Sequence, residues 1–178
     1  LTLMAGQLGA PHRSQSEEVI KAAASVELTH LASLYHDDVM DSAPSRRGVE
    51  AAQILWGNNN AILAGDILFS RASSLAADLG SDSVRWYAQT FERLCMGQLN
   101  ETFGPKEGDD PVDFYLRVLA DKTGSLVASA GFFGAVHSGA GKEVAEMLRD
   151  FGESVGVAFQ IADDVIDIVS PAEVTGKT

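Results

Sequence analysis

His36-Asp37-Asp38-Val39-Met40-Asp41 ends a long run of helical periodicity, and Phe159-Gln160-Ile161-Ala162-Asp163-Asp164-Val165-Ile166-Asp167 repeats its acid spacing near the other end of the chain. Both contain the pattern DDxxD. With 14 Asp among 178 residues, two copies by chance are improbable. On a helix, Asp37 and Asp41 share a face, while Asp38 lies about 100° round and reaches the same space obliquely. Like charges on neighbouring turns weaken a helix unless cations offset them. A solvated helix face is the better reading of one such pattern alone. It loses here because Val155, Val157 and Phe159 precede the second cluster and Val165-Ile166 lies within it.

If the first and last helices face each other across a bundle, Asp37, Asp38, Asp41, Asp163, Asp164 and Asp167 line opposite walls of one cavity. Highly charged, oxygen-only ligands select Mg²⁺ or Mn²⁺, and Mg²⁺ shares a few carboxylates with substrate phosphate oxygens. The expected ligand is a diphosphate. Thirteen basic against 25 acidic residues, net charge −12, argue against nucleic acid as a partner, so metal must supply much of the positive charge.

The rest of the composition narrows the class. A chain of 178 residues that is 46% hydrophobic reads as a single domain over 1–178. The single Cys95 excludes an internal disulfide and fits a reducing compartment, so a cytoplasmic location is expected. No transmembrane segment or signal sequence is legible, and a soluble protein is expected. Leu1 stands where an initiator Met is absent and Gly176-Lys177-Thr178 reads as loop, so we expect part of a longer protein.

Periodicity predicts an all-α fold, a helical bundle around a central cavity. Ser14-Gln15-Ser16-Glu17 has the capping-box pattern and starts the first long helix, which Ser42-Ala43-Pro44 stops. After the basic loop Ser45-Arg46-Arg47-Gly48 come a short helix ending at Trp56-Gly57, then helices over about 59–78 and 81–101. One helix is expected over about 112–138, with Gly124, Gly131 and Gly134 marking kinks or close approach, and a last one over about 142–168.

The chain resembles the trans-isoprenyl (polyprenyl) diphosphate synthases, which have the isoprenoid synthase fold and join an allylic diphosphate to isopentenyl diphosphate. The matching residues are the two aspartate clusters, Arg46-Arg47-Gly48, Gly65-Asp66, Gly97-Gln98 with Glu101, Lys122-Thr123, Phe159-Gln160 and Gly176-Lys177. The resemblance implies three Mg²⁺ ions held by the clusters, chiefly Asp37, Asp41 and Asp163, and a homodimer. It implies Arg46, Lys122 and Lys177 on the allylic diphosphate, and Arg47 on isopentenyl diphosphate. It also implies Thr123, Gln160 and the Lys122 carbonyl beside the allylic cation. His30, seven residues before Asp37, is about 20° off the same face and roughly 10 Å along the axis. The family has a Gln or His there that contacts isopentenyl diphosphate. His36 is expected to support the site without binding metal; Asp66 and Gln98 read more simply as helix-packing or hydrogen-bonding residues, and Cys95 as a residue that fills core space.

Below Asp37 the helix presents Ser33, Thr29 and Ser25 with Ala32 and Ala22 beside them, a face without an aromatic plug. Short-chain members of the family block it with bulky residues, so a long-chain product is expected. The competing reading is that small residues let two helices pack closely. The family's Gly-Gly-Lys…Arg segment would lie upstream of Leu1, and its last helices beyond Lys177. A class I terpene cyclase and a non-catalytic subunit of a heteromeric synthase are the alternatives. The first normally carries a different second metal motif, and the second typically loses the aspartates that this chain keeps.

Overall fold

Ser16 opens the helix that carries the first acid cluster. In the computed structural model, which describes residues 1–169, α1 (Thr2–Ala5) leads into 3-10 turns at Gly6–Leu8 and Pro11–Arg13, and α2 spans Glu17–Met40. Ser16 Oγ accepts from the Val19 amide at 3.4 Å, with Glu17 and Glu18 in the electropositive first turn. The capping box expected at Ser14 does not form. The proline-started turn ends there, and Ser14 Oγ donates to the Pro11 carbonyl at 3.1 Å.

Past Asp41 the chain leaves the helix through Ser42, whose φ of 52° is left-handed. The expected basic loop is a small antiparallel hairpin, β1 (Ser45–Arg46) with β2 (Val49–Glu50). Its tip is Arg47 and Gly48 at φ 52° and 81°, the pair of positive values that a type I′ turn requires. All other regular structure among the described residues is helical. α3 (Ala52–Trp56), α4 (Asn58–Asp78) and α5 (Ser81–Phe103) follow close to expectation.

Asp110 caps α6 (Pro111–Leu119), accepting from the amides of Val112 and Asp113 at 2.9 Å each. The helix expected over 112–138 carries an interruption: α6 passes through a π turn at Ala120–Gly124 before α7 (Ser125–Ser138). α8 covers Lys142–Val169. No helix among the described residues is long and apolar enough to cross a membrane.

α7 is small or apolar nearly all round, the pattern of a helix enclosed by others, and it packs on α1, α2, α5 and α8. Ala128, Ser129, Ala130, Phe133 and Ala135 are buried. Trp86 of α5 stacks on Phe132 at 4.1 Å and donates its indole N–H to Ser129 Oγ at 3.1 Å. On the other side of α2 lies α4, in contact through Ala61, Gly65, Ala72 and Ala76. With α7 packed against both α2 and α8, the two acid-bearing helices share at most marginal contact.

Candidate active site

Each cluster reaches the π turn through one residue, Asp37 on one side and Asp164 on the other. Asp37, on the last turn of α2, lies within electrostatic reach of Lys122 and Glu101. Burial pushes its carboxyl above the usual range, against the pull of Lys122, while Asp41 raises it further, Arg46 lowers it and Glu101 raises it. Lys122 is ion-paired with Glu101 of α5. Thr123 Oγ1 donates to Gln160 Oε1 at 3.1 Å, and Gln160 Nε2 donates to Asp164 Oδ1 at 2.9 Å. Tyr115 OH donates to Asp164 Oδ2 at 2.6 Å, which pushes the phenol up to about 12 and keeps it a donor throughout the neutral range.

Within each cluster the second aspartate differs from its neighbours. Asp38 is buried, and its Oδ1 takes Arg46 Nη2 at 2.6 Å and Nε at 2.8 Å. Its carbonyl accepts from the Ala43 amide and from Gln53 Nε2, both at 2.9 Å. Asp164 is engaged at both oxygens by Tyr115 and Gln160. Asp37, Asp41 and Asp163 accept no side-chain hydrogen bond among the described residues, and Asp167 has an interaction of its own.

This sorts the expected ligand set. Asp38 does not converge with Asp37 and Asp41, because a half-exposed arginine has claimed it. No three His, Cys, Asp or Glu side chains among the described residues form a ready-made cage. Asp37, Asp41 and Asp163 nevertheless offer oxygen-only side chains without side-chain hydrogen-bond donors among the described residues, the donor chemistry that Mg²⁺ takes when phosphate oxygens and water complete its shell.

Arg46 comes to the site by way of Asp38. Arg47 sits exposed at the hairpin tip, and His30 is within electrostatic reach of both arginines; burial holds its pKa low, with Glu27 opposing. His36 Nε2 lies 3.0 Å from the Ile62 carbonyl and 3.4 Å from Asp66 Oδ1, which ties α2 to α4. Lys177 lies outside the described residues.

The small-residue face of α2 divides. Ser25 Oγ donates to the Ala72 carbonyl at 2.9 Å, and a Cβ added at Gly65 would stand 3.3 Å from the Ala32 carbonyl. For Ser25 and Ala32, close helix packing is therefore the structural explanation. Thr29, together with Ser25, also lines a narrow cavity between α2, α5 and α7, closed by Val26, Tyr87, Thr90 and Phe133. Ser33 remains partly exposed, with its hydroxyl on the His30 carbonyl at 2.8 Å.

Sequence reading missed Gln53, Arg93, Tyr115, Asp121 and Glu153. Tyr115 and Asp164 are 49 positions apart and Arg93 and Glu153 are 60 apart, and nothing local announces either pair. Ser125, four residues after Asp121, offers only a weak local cue.

The structure is a helical bundle in which residues of both DDxxD clusters reach one Lys-Thr turn. Residues 1–178 match the sequence profile of the family described as polyprenyl synthetase, and the chain belongs to that family. It is 49% identical over 176 residues to nonaprenyl diphosphate synthase of Mycobacterium tuberculosis (strain ATCC 25618 / H37Rv), covering 99% of this chain and 52% of that protein. Dimethylallyltranstransferase of the same organism is 41% identical over 167 residues, covering 94% and 51%. Among solved structures, geranylgeranyl pyrophosphate synthase from Corynebacterium glutamicum, complexed with calcium and isoprenyl diphosphate, is 50% identical with a TM-score of 0.83, covering 95% of this chain and 51% of that one. Heptaprenyl diphosphate synthase from Staphylococcus aureus is 29% identical with a TM-score of 0.91, covering 99% and 55%. The fold is that of the isoprenoid synthases. The chain spans about half the length of the relatives it matches.

Proposed function

We propose that this chain carries the allylic site of a Mg²⁺-dependent trans-prenyltransferase that condenses an allylic diphosphate with isopentenyl diphosphate, giving a long-chain polyprenyl diphosphate. The observation that supports this most is the π turn, which sets Lys122 near Asp37 and links Thr123 to the second cluster through Gln160. A half-identical relative with calcium and isoprenyl diphosphate bound supports a divalent cation and a diphosphate here.

Asp37, Asp41 and Asp163, with Asp167, would hold Mg²⁺, three ions once substrate is bound; Asp38 and Asp164 orient Arg46 and Gln160. Bound there, the cations would neutralise the charge that grows on the leaving diphosphate. Lys122 and Arg46, with Lys177, add positive charge at the same place, and such groups act most strongly in the transition state. Thr123 Oγ1, Gln160 and the Lys122 carbonyl face the developing allylic cation with oxygen atoms that do not attack it. His30 and Arg47 hold the second diphosphate. Isopentenyl diphosphate then forms the new C–C bond through its double bond, and the proton it loses passes to the departing diphosphate.

The decisive experiment is elongation of labelled isopentenyl diphosphate by the full-length protein with Mg²⁺ and allylic primers of several lengths. Chelation should stop it, and a well-folded protein that elongates no primer refutes the reading. Product length is assigned to Ser33 and Thr29; Ala32, expected beside them, is taken up by packing against α4. We expect Ser33→Phe to shorten the product, read by chromatography, and an unchanged length sinks the tunnel. The lone cysteine supports a cytoplasmic location, and exposed apolar side chains on α4 support a homodimer.

A further inference from the structure

The turn that carries Lys122 and Thr123 is bonded differently from the helices it joins. The Ser125 amide donates to the Ala120 carbonyl, five residues back, so the Asp121 carbonyl loses the amide an α-helix would supply. The Ser125 hydroxyl takes that place at 2.7 Å, from a residue only 2% exposed. Returning this segment to α geometry would remove one residue from the turn, rotating the side chains on one side of it by about 100° relative to the other. Lys122 and Thr123 would then lose their present partners.

One guanidinium spans the turn and the helices beside it. Arg93 of α5 donates Nε to Asp121 Oδ1 at 2.7 Å, Nη1 to Glu153 Oε2 at 2.7 Å, and Nη2 to Glu153 Oε1 at 3.1 Å and to the Ala120 carbonyl at 3.3 Å. The fork on Glu153 is bidentate, a geometry that a lysine ammonium cannot copy. Backbone closes in from both sides: a Cβ on Gly97 would stand 2.6 Å from the Lys122 nitrogen, and one on Gly156 would stand 2.8 Å from Gly124 Cα.

We propose that Arg93 is a positioning residue, which with Asp121, Glu153 and Ser125 staples the π turn so that Lys122 and Thr123 point at the allylic diphosphate and the cation it leaves. This rests on the prenyltransferase reading. The competing account is an ordinary partly exposed salt bridge that adds a little stability and nothing else.

The test uses the full-length protein with Arg93→Lys, Lys122→Ala and the two combined, each followed by steady-state kinetics, thermal melting and hydrogen exchange. Arg93→Lys keeps the charge but loses the fork, and kcat should fall about tenfold to a hundredfold, the scale of a displacement near 1 Å at a reacting centre. The KM for isopentenyl diphosphate should stay unchanged. In the Lys122→Ala background the same substitution should cost less than it does alone, because the part of its effect that runs through Lys122 is already gone. Amides 120–125 should exchange faster in Arg93→Lys. Additive losses, or unchanged kcat with a lower Tm, or unaltered exchange at 120–125, overturn the staple. A wild-type protein that elongates no primer instead sinks the enzyme reading and the catalytic part of this proposal with it, while exchange still reports on the turn.

Discussion

Asp38 and Asp164 hold the same place in their two clusters, and both are occupied by protein donors: Arg46 on the first, Tyr115 and Gln160 on the second. Their neighbours Asp37 and Asp163 keep their lone pairs for something else. The two kinds of aspartate should therefore fail differently. Asp37→Asn or Asp163→Asn should lower kcat about 10²- to 10³-fold, because each would weaken the hold on a cation that stabilises transition-state charge. Asp37→Asn should melt no lower than wild type in metal-free buffer at neutral pH. A carboxyl raised by burial favours the native state below its unfolded value of 3.8 and loses that advantage as pH rises through its folded value, so the charged form is no asset at pH 7. Asp38→Asn should instead lower stability by about 1.5–3 kcal/mol in urea titration, the scale of a charge-assisted hydrogen bond. Equal stability losses in both variants would contradict this division.

Helices α5, α7 and α8 meet at small residues, and the site depends on that closeness. Gly97→Ala puts a methyl 2.6 Å from the Lys122 amide nitrogen, where backbone must move. We expect a loss of about 1–3 kcal/mol, typical of overpacking, and a larger fall in kcat than the loss of stability alone explains. Activity that tracks stability would show that the turn tolerates displacement. At the far end of α7, His137 Nε2 sits 3.1 Å from Ser83 Oγ, and burial lowers its pKa, with Glu18 opposing and Arg13 assisting. A lowered histidine pKa means that the unfolded state binds more protons. Stability is full above 6.5, the unfolded value, and falls as pH drops from there through the folded value. His30 adds to the same trend. His137→Gln should flatten the decline below pH 6.5, measured as Tm against pH; an unaltered slope would place the titration elsewhere.

The assembled molecule leaves apolar side chains uncovered. α4 turns Ala61, Gly65, Ala72 and Ala76 toward α2, which leaves Ile62, Leu63 and Ile67 exposed. On α8, Met147, Phe151, Val155 and Phe159 recur every four residues on an exposed face. An exposed apolar stripe of this kind marks a surface meant to be covered. We expect the full-length protein to sediment as a homodimer through α4, and Leu63→Glu with Ile67→Glu to shift it toward monomer. A double variant that stays dimeric would move the interface elsewhere.

Helical periodicity, the spacing of the aspartates and the Lys122-Thr123 pair were legible in the linear chain, because each depends on neighbours within a turn or two. Those signals sufficed for an all-α fold and the bounds of most long helices, and they are what the proposed diphosphate chemistry rests on. They could not show that Asp38 would be claimed by Arg46, that Ser25 and Ala32 would be used to seat α4, or that the helix over 112–138 would take an extra residue at 120–124. Each of those outcomes is set by a side chain or backbone segment on another element, as with Arg93 reaching Glu153 across 60 positions. The acids were visible as a pair of patterns; which of them protein donors would occupy was decided only when the helices packed.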